Sequence, residues 1–186
     1  MVEISKSIVL IITGLCKGGA EKQLTKIALG LRNRSWKIRI ISMIRLEQSM
    51  EALEDLGVEI VSLNMRRGIP DPRAIIKTVK YLKLWKPALV CSFMYHANII
   101  ARITTRMSRI PIVITSIRSE CFGGKTRKIM ERYMSKLDTI TTTNSHLVAE
   151  RLISEGIIKP EKLRIIPNGI TQEEYQVGNE AREVYR

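Results

Sequence analysis

The chain has 186 residues, with 31 Lys and Arg against 18 Asp and Glu, a formal charge of +13, and 45% hydrophobic but only 5% aromatic side chains. That length and apolar fraction suit one globular domain with a core of Ile, Leu, Val and Met, and no apolar run approaches the roughly 18–20 residues of a membrane span. The charge calls for anionic partners (nucleic acid, acidic lipid or phosphorylated small molecules), while three scattered cysteines, Cys16, Cys91 and Cys121, exclude a disulfide framework and a zinc cluster and fit a reduced, cytoplasmic chain.

Ser7 to Thr13 is a continuous β-branched apolar run, the pattern of a strand buried on both faces. With Cys16 behind it, the run loosely matches a lipoprotein signal, but bulky Leu15 stands where cleavage needs a small residue. Ala20 to Asn33 follows as a helix, with Leu24, Ile27, Ala28 and Leu31 at helical spacing. Trp36 to Met43 returns to strand, Met50 to Leu56 is a short helix stopped by Gly57, and Val58 to Leu63 is a strand. Pro70 and Pro72 open a helix over Arg73 to Trp85, and Pro87 closes it. Ala88 to Phe93 is a strand, His96 to Met107 a helix, Pro111 to Ile117 a strand and Lys125 to Leu137 a helix. Thr139 to Thr143 is a strand, Ser145 to Glu155 a helix ended by Gly156, and Leu163 to Ile166 a last short strand. Strands separated by helices predict an α/β fold: a Rossmann-like parallel sheet with helices on both faces.

In such a sheet ligands bind beyond the carboxyl ends of the strands. After the first strand, Gly18 and Gly19 open a helix, where close backbone approach and free N–H groups suit a phosphate. The spacing is neither the dinucleotide fingerprint nor the P-loop, since Ala20 and Glu21 follow Gly19, and a tight turn without a ligand accounts for it equally. His96 stands at the end of the fourth strand, as a cleft residue or a structural one; His146 reads as a surface residue. Arg118 follows the fifth strand, to hold an anionic or hydroxyl-rich ligand or to pair with Glu120. Gly123 and Gly124, beside Lys125 and Arg127, read as an anion-binding loop or a plain turn. Asn144 and Ser145 are candidates to cap the following helix, with Asn144 also placed to face the cleft.

Four segments in order carry a resemblance. Gly18-Gly19-Ala20-Glu21 is similar to the G-G-A-E helix start of the retaining glycosyltransferases of family 4, which have the GT-B fold. Ser92 to Arg102 resembles their strand-then-His segment, and Thr143-Asn144-Ser145 with Val148 and Leu152 their N-S helix start. Lys162 to Ile170 resembles the K…I-P-N-G segment that ends their first domain. Thr171 and Tyr175 depart from the family's usual acidic residue and Phe.

The resemblance implies an acceptor-side domain over residues 1–170. Residues 171–186 then form a linker and the start of a C-terminal nucleotide-sugar-binding domain, so the chain reads as a fragment, inactive alone. It implies sugar transfer from a nucleotide-sugar to an acceptor hydroxyl with retention, in polysaccharide or glycolipid synthesis. The nucleotide-sugar is a substrate; no cofactor and no metal are expected. His96 becomes the catalytic residue, and Gly18, Gly19, Glu21, Asn98, Arg118, Glu120 and Asn144 become substrate-binding. Lipid-linked acceptors would give the basic charge a use. Arg73, Lys77 and Lys80 share one helix face, and Lys125, Lys128, Arg132 and Lys136 recur on another helix, which suits an anionic membrane surface on the cytoplasmic side or simply a solvated face.

Rival readings are a basic nucleic-acid-binding domain, a dinucleotide-dependent enzyme and a non-catalytic ligand-binding module. The first lacks a stacking platform or recognition motif, and no nucleic-acid partner is expected. The second lacks the glycine fingerprint and has Met43 where an acidic ribose ligand belongs.

Overall fold

The computed structural model describes residues 6–15, 18–45, 53, 55, 57–66, 71–118 and 124–170. Among them, seven strands form one parallel sheet: β1 (Ser7–Ile12), β2 (Lys37–Ile44), β3 (Glu59–Met65), β4 (Leu89–Phe93), β5 (Ile112–Ile117), β6 (Ile140–Thr143) and β7 (Leu163–Ile165). The helices are α1 (Gly19–Arg32), α2 (Pro72–Trp85), α3 (Tyr95–Ser108), α4 (Lys125–Met134) and α5 (His146–Ser154). The spatial order is β3-β2-β1-β4-β5-β6-β7, the Rossmann-like parallel sheet expected from the sequence.

β1 is central and buried along its whole length. Successive side chains of a strand point to opposite faces. Ile8, Leu10 and Ile12 therefore pack with Leu24 and Ala28 of α1. Val9 and Ile11 pack on the other face with Ala74 and Leu82 of α2 and Ala97 and Ala101 of α3. A two-sided core of this kind explains why β1 reads as an unbroken apolar run rather than an alternating one. α5 closes the far end through Val148, Ala149 and Leu152 against Ile117 and Leu163.

The element limits shift by a residue or two. β3 runs on to Met65, and Asp71, not only the prolines, starts α2 by accepting a hydrogen bond from the Arg73 N–H at 2.9 Å. α2 ends where Lys86 takes the left-handed conformation, at φ 44°. The helix expected over Lys125 to Leu137 is α4 followed by a tighter 3₁₀ turn over Ser135–Leu137. Met50 to Leu56 lies outside the described residues except Leu53, which is fully buried in the core, and Asp55.

One charged group sits where apolar residues would be expected. The Arg102 side chain of α3 is fully buried. Its Nε and Nη2 donate to both carboxylate oxygens of Asp138 at 2.8 and 2.7 Å. Nη2 also reaches Glu131 of α4 at 2.5 Å and Thr115 of β5 at 3.3 Å. Asp138 accepts two further bonds, from the Thr115 and Thr141 hydroxyls at 2.8 and 2.9 Å. Burial works against the arginine's charge, but its bonds to Asp138 and Glu131 prevail and hold its pKa above the ordinary value.

Removing one member of a buried ion cluster leaves the others charged and unpaired, at a cost of about 3–5 kcal/mol. Asp138→Ala is expected to destabilise the fold by that amount, read as a shift of the urea unfolding midpoint. A loss below about 1 kcal/mol would mean that Glu131 alone satisfies the buried arginine.

Candidate active-site cleft

The chain builds outward from β1 to β3, then returns to start β4 on the opposite side of β1. The connections that leave β1 and β4 therefore diverge, opening a crevice at their carboxyl ends. Strand register aligns those ends: Ile12 lies beside Phe93, Phe93 beside Ser116, and Ser116 beside Thr142. The residues that follow each strand converge on a cleft of about 480 Å³, with Thr13, Gly19, His96, Arg118, Asn144 and Asn168 in its wall.

At the helix start Gly18 is the N-cap of α1, in extended conformation with no side-chain cap. A Cβ on Gly18 would lie 2.3 Å from the Glu21 carboxylate, so Glu21 folds back over it, beside the free N–H groups of the first turn. A Cβ on Gly19 would meet nothing within 4 Å. The space beside Gly19 is thus cleft, whereas Gly18 and Glu21 stand behind the wall.

Between β4 and α3, Met94 adopts φ 79° and ψ 154°, a conformation that an L side chain reaches only at a cost of about 1–3 kcal/mol. The Met94 N–H donates to the Ser116 carbonyl at 3.3 Å. Asn98 secures the same corner: its Oδ1 accepts from Ser92 Oγ at 2.8 Å, and its Nδ2 donates to the Ser116 carbonyl at 3.1 Å. Asn98 lines the floor of the cleft, but its amide is engaged with β4 and β5. The turn carries Tyr95 and His96 to the mouth, where the two rings meet edge to face at 5.3 Å. Partial desolvation, and then the nearby Arg127 cation, lower the His96 pKa from 6.5. At neutral pH the imidazole is uncharged and able both to donate and to accept a hydrogen bond.

Arg118, half-buried at the end of β5, lies over the Phe93 ring at 6.0 Å and donates to the Asn168 side-chain oxygen. Asn168 comes from the segment after β7, which α1 clamps in place. Gln23 Nε2 donates to the Gly169 carbonyl at 2.9 Å, the Gly169 N–H donates back to Gln23 Oε1 at 3.2 Å, and Lys26 Nζ reaches the same carbonyl at 2.9 Å. On the other rim Arg127 of α4 lies over the Tyr95 ring at 4.8 Å. Ser145 caps α5, its Oγ accepting from the Val148 N–H at 3.5 Å, which leaves Asn144 in the cleft wall.

Of the residues expected from the sequence, Gly19, His96, Asn98, Arg118 and Asn144 come together; Glu120 and Gly123 lie outside the described residues. Sequence reading did not place Tyr95, Arg127, Glu131 or Asn168 in the cleft, all of which line it. A signal existed for Glu131, since Arg127 and Glu131 are four apart on one helix and share a face. Asn168 stood in the I-P-N-G segment, but only the return of the chain after β7 brings it over β5. Cys91 offers no nucleophile, as burial pushes its thiol up to about 12. Among the described residues no three His, Cys, Asp or Glu side chains gather to hold a metal ion.

Residues 17–174 match the family model described as Glycosyltransferase Family 4. An Escherichia coli protein, UDP-Gal:alpha-D-GlcNAc-diphosphoundecaprenol alpha-1,3-galactosyltransferase, is 26% identical over 114 residues, 58% of this chain and 30% of that protein. Anabaena HepE, crystallised with UDP and glucose, superposes with a TM-score of 0.72 at 15% identity, over 96% of this chain and 50% of HepE. UDP-GlcNAc 2-epimerase from Methanocaldococcus jannaschii superposes with a TM-score of 0.59 at 14% identity, over 87% of this chain and 45% of the epimerase. Such structural likeness shows the fold alone, and the chain spans half the length of these structures or less.

Because the folded His96 resists protonation, the folded state binds fewer protons than the unfolded chain just below pH 6.5, and acid lowers stability through that window. Histidine NMR is expected to show a His96 midpoint below 6.5, and Arg127→Gln should raise it by removing the cation. An unmoved midpoint in that variant would show Arg127 to be electrostatically remote.

Proposed function

This chain belongs to glycosyltransferase family 4, and on that footing we propose that it is the acceptor-side domain of a retaining GT-B glycosyltransferase acting in polysaccharide or glycolipid synthesis. The single observation that carries the reading is that the family match, over residues 17–174, spans every residue lining the switch-point cleft except Thr13. In this reading a second Rossmann-like domain holds most of the nucleotide-sugar, and the reaction takes place between the two. The C1–O bond to the diphosphate breaks, a new C1–O bond to the acceptor forms on the same face, and the acceptor hydroxyl loses its proton.

The wall residues suit such a substrate pair. Gly19 leaves room for close backbone approach at the N-terminus of α1, where negative charge is favoured. Neutral His96 is free to hydrogen-bond the transferred sugar or orient the acceptor hydroxyl. Arg118 and Asn144 stand in the same wall, and in this reading they face the acceptor.

Sugar transfer from a panel of UDP- and GDP-sugars by the full-length gene product tests the proposal. One donor should turn over, and His96→Ala should cut kcat by about 100-fold or more at an unchanged thermal midpoint, the scale of a lost transition-state hydrogen bond. Gly19→Ala should impair turnover while leaving the fold intact. Epimerisation of the donor without transfer would sink the transferase reading and leave only the fold.

We also propose that the domain lies peripherally on the inner face of the membrane, as a lipid-linked acceptor would require. No helix among the described residues is long and apolar enough to cross a membrane. α4 and its 3₁₀ extension instead expose Ile129, Met130, Tyr133 and Leu137, spaced to share one face, amid exposed Lys125, Arg132 and Lys136. Apolar side chains among cations suit the boundary of an anionic bilayer. Cosedimentation with phosphatidylglycerol vesicles should exceed that with phosphatidylcholine and should fall with salt and in the Ile129→Ser, Tyr133→Ser double variant. Equal recovery with both lipids would remove the membrane from the account.

A further inference from the structure

The cleft contains two guanidinium groups, each held over an aromatic ring. Arg118 lies over the ring of Phe93 at 6.0 Å and Arg127 over the ring of Tyr95 at 4.8 Å. These two rings flank Met94, the strained residue of the β4–α3 turn, so one short segment carries both supports. Neither arginine has a carboxylate partner among the described residues. The carboxylate in the described wall, Glu131, is 3% exposed and committed to Arg102.

Several basic side chains elsewhere do have carboxylate partners: Arg39 pairs with Glu59, and Lys128 and Arg151 share Glu155. An aromatic ring orients a guanidinium without cancelling its charge. Oriented planar cations with free N–H groups match the oxygens of a phosphate, which they bind with charge-assisted hydrogen bonds. Asn168, bonded to Arg118, and neutral His96 complete the polar wall around them.

We propose that Arg118 and Arg127 form a two-sided clamp for a phosphoryl group in this cleft, with Phe93 and Tyr95 as its supports. The ligand class is a phosphate ester or diphosphate. That chemistry belongs both to a nucleotide-sugar and to a phosphate-linked acceptor. Only the choice between these sources rests on the glycosyltransferase reading; the clamp itself does not.

Calorimetric titration at fixed ionic strength with pyrophosphate, UDP and octyl diphosphate tests it, using the wild-type protein, Arg118→Gln, Arg127→Gln, Arg127→Lys and Arg73→Gln. The wild type should bind pyrophosphate, and each Arg→Gln change in the cleft should weaken it by about 10-fold or more, the scale of a lost charged hydrogen bond. Arg127→Lys, which keeps charge but loses the planar fork, should fall between. Arg73→Gln, on exposed α2, should leave binding unchanged; if it weakens binding as much as the cleft variants, the affinity is the diffuse attraction of a +13 chain and the clamp is overturned. Absence of pyrophosphate binding by the wild type at millimolar concentration overturns it too, as does undiminished binding in both cleft variants with unchanged thermal midpoints. Sensitivity of UDP alone assigns the clamp to the donor, of octyl diphosphate alone to the acceptor, and of both to a shared site. If the clamp binds as expected while the full-length product transfers no sugar, the transferase reading fails and the clamp stands.

Discussion

The buried Arg102 cluster is the constraint on which the cleft side of the sheet depends. An unpaired guanidinium in a protein interior would cost many kcal/mol of lost hydration. Arg102 therefore dictates where its partners stand: Asp138 at the entry to β6, Thr115 in β5 and Glu131 in α4. α4 shows the consequence most clearly. It is a strongly polar helix, and Glu131 is its one buried residue. An apolar stripe does not seat this helix on the sheet; an ion pair does. Ile129, Met130 and Tyr133 of this helix are left facing outward. One turn before Glu131 the same helix presents Arg127 to the cleft, so a buried interaction behind the wall sets the charge in front of it.

The β4–α3 corner is the second fixed point. Met94 holds a strained backbone conformation that must be sustained by its surroundings. Asn98, Ser92 and the Ser116 carbonyl supply that support through a closed set of hydrogen bonds. The strained turn aims Tyr95 and His96 into the crevice. Partial desolvation and the Arg127 cation keep the histidine neutral, so the cleft combines fixed positive charge with a hydrogen-bonding group that carries none. Such a division suits a ligand with an anionic part and a hydroxyl-rich part.

The fold alone would not have led to a transferase, because the same half-fold is shared with an epimerase. Family membership narrows the field, and the wall of the cleft narrows it again. Basic charge also turns out to be unevenly used. Some cations are paired on the surface, one is buried in the Arg102 cluster, two stand over aromatic rings in the cleft, and others border the exposed apolar side chains of α4. A single net charge of +13 conceals these separate roles.

By itself the sequence determined the α/β alternation, because an apolar run buried on both faces and a helix with one apolar stripe leave different periodicities in the chain. It also determined which strand ends to inspect, and Gly19, His96, Arg118 and Asn144 do meet at one cleft. Element limits blurred where a local conformation intervened, as when α3 starts at Tyr95 because Met94 turns the chain, or α4 tightens into a 3₁₀ turn. The choice between Asn144 and Ser145 as cap was open in the sequence, since both types accept the same bond; geometry gave it to Ser145. Only the tertiary structure decided that Arg102 is buried, that Asn98 is engaged with the sheet, and that Asn168 and Arg127 belong to the cleft. Each of these depends on partners at least 13 residues away in the chain. Periodicity records which face of an element is buried, but not which distant charge or ring will be waiting there.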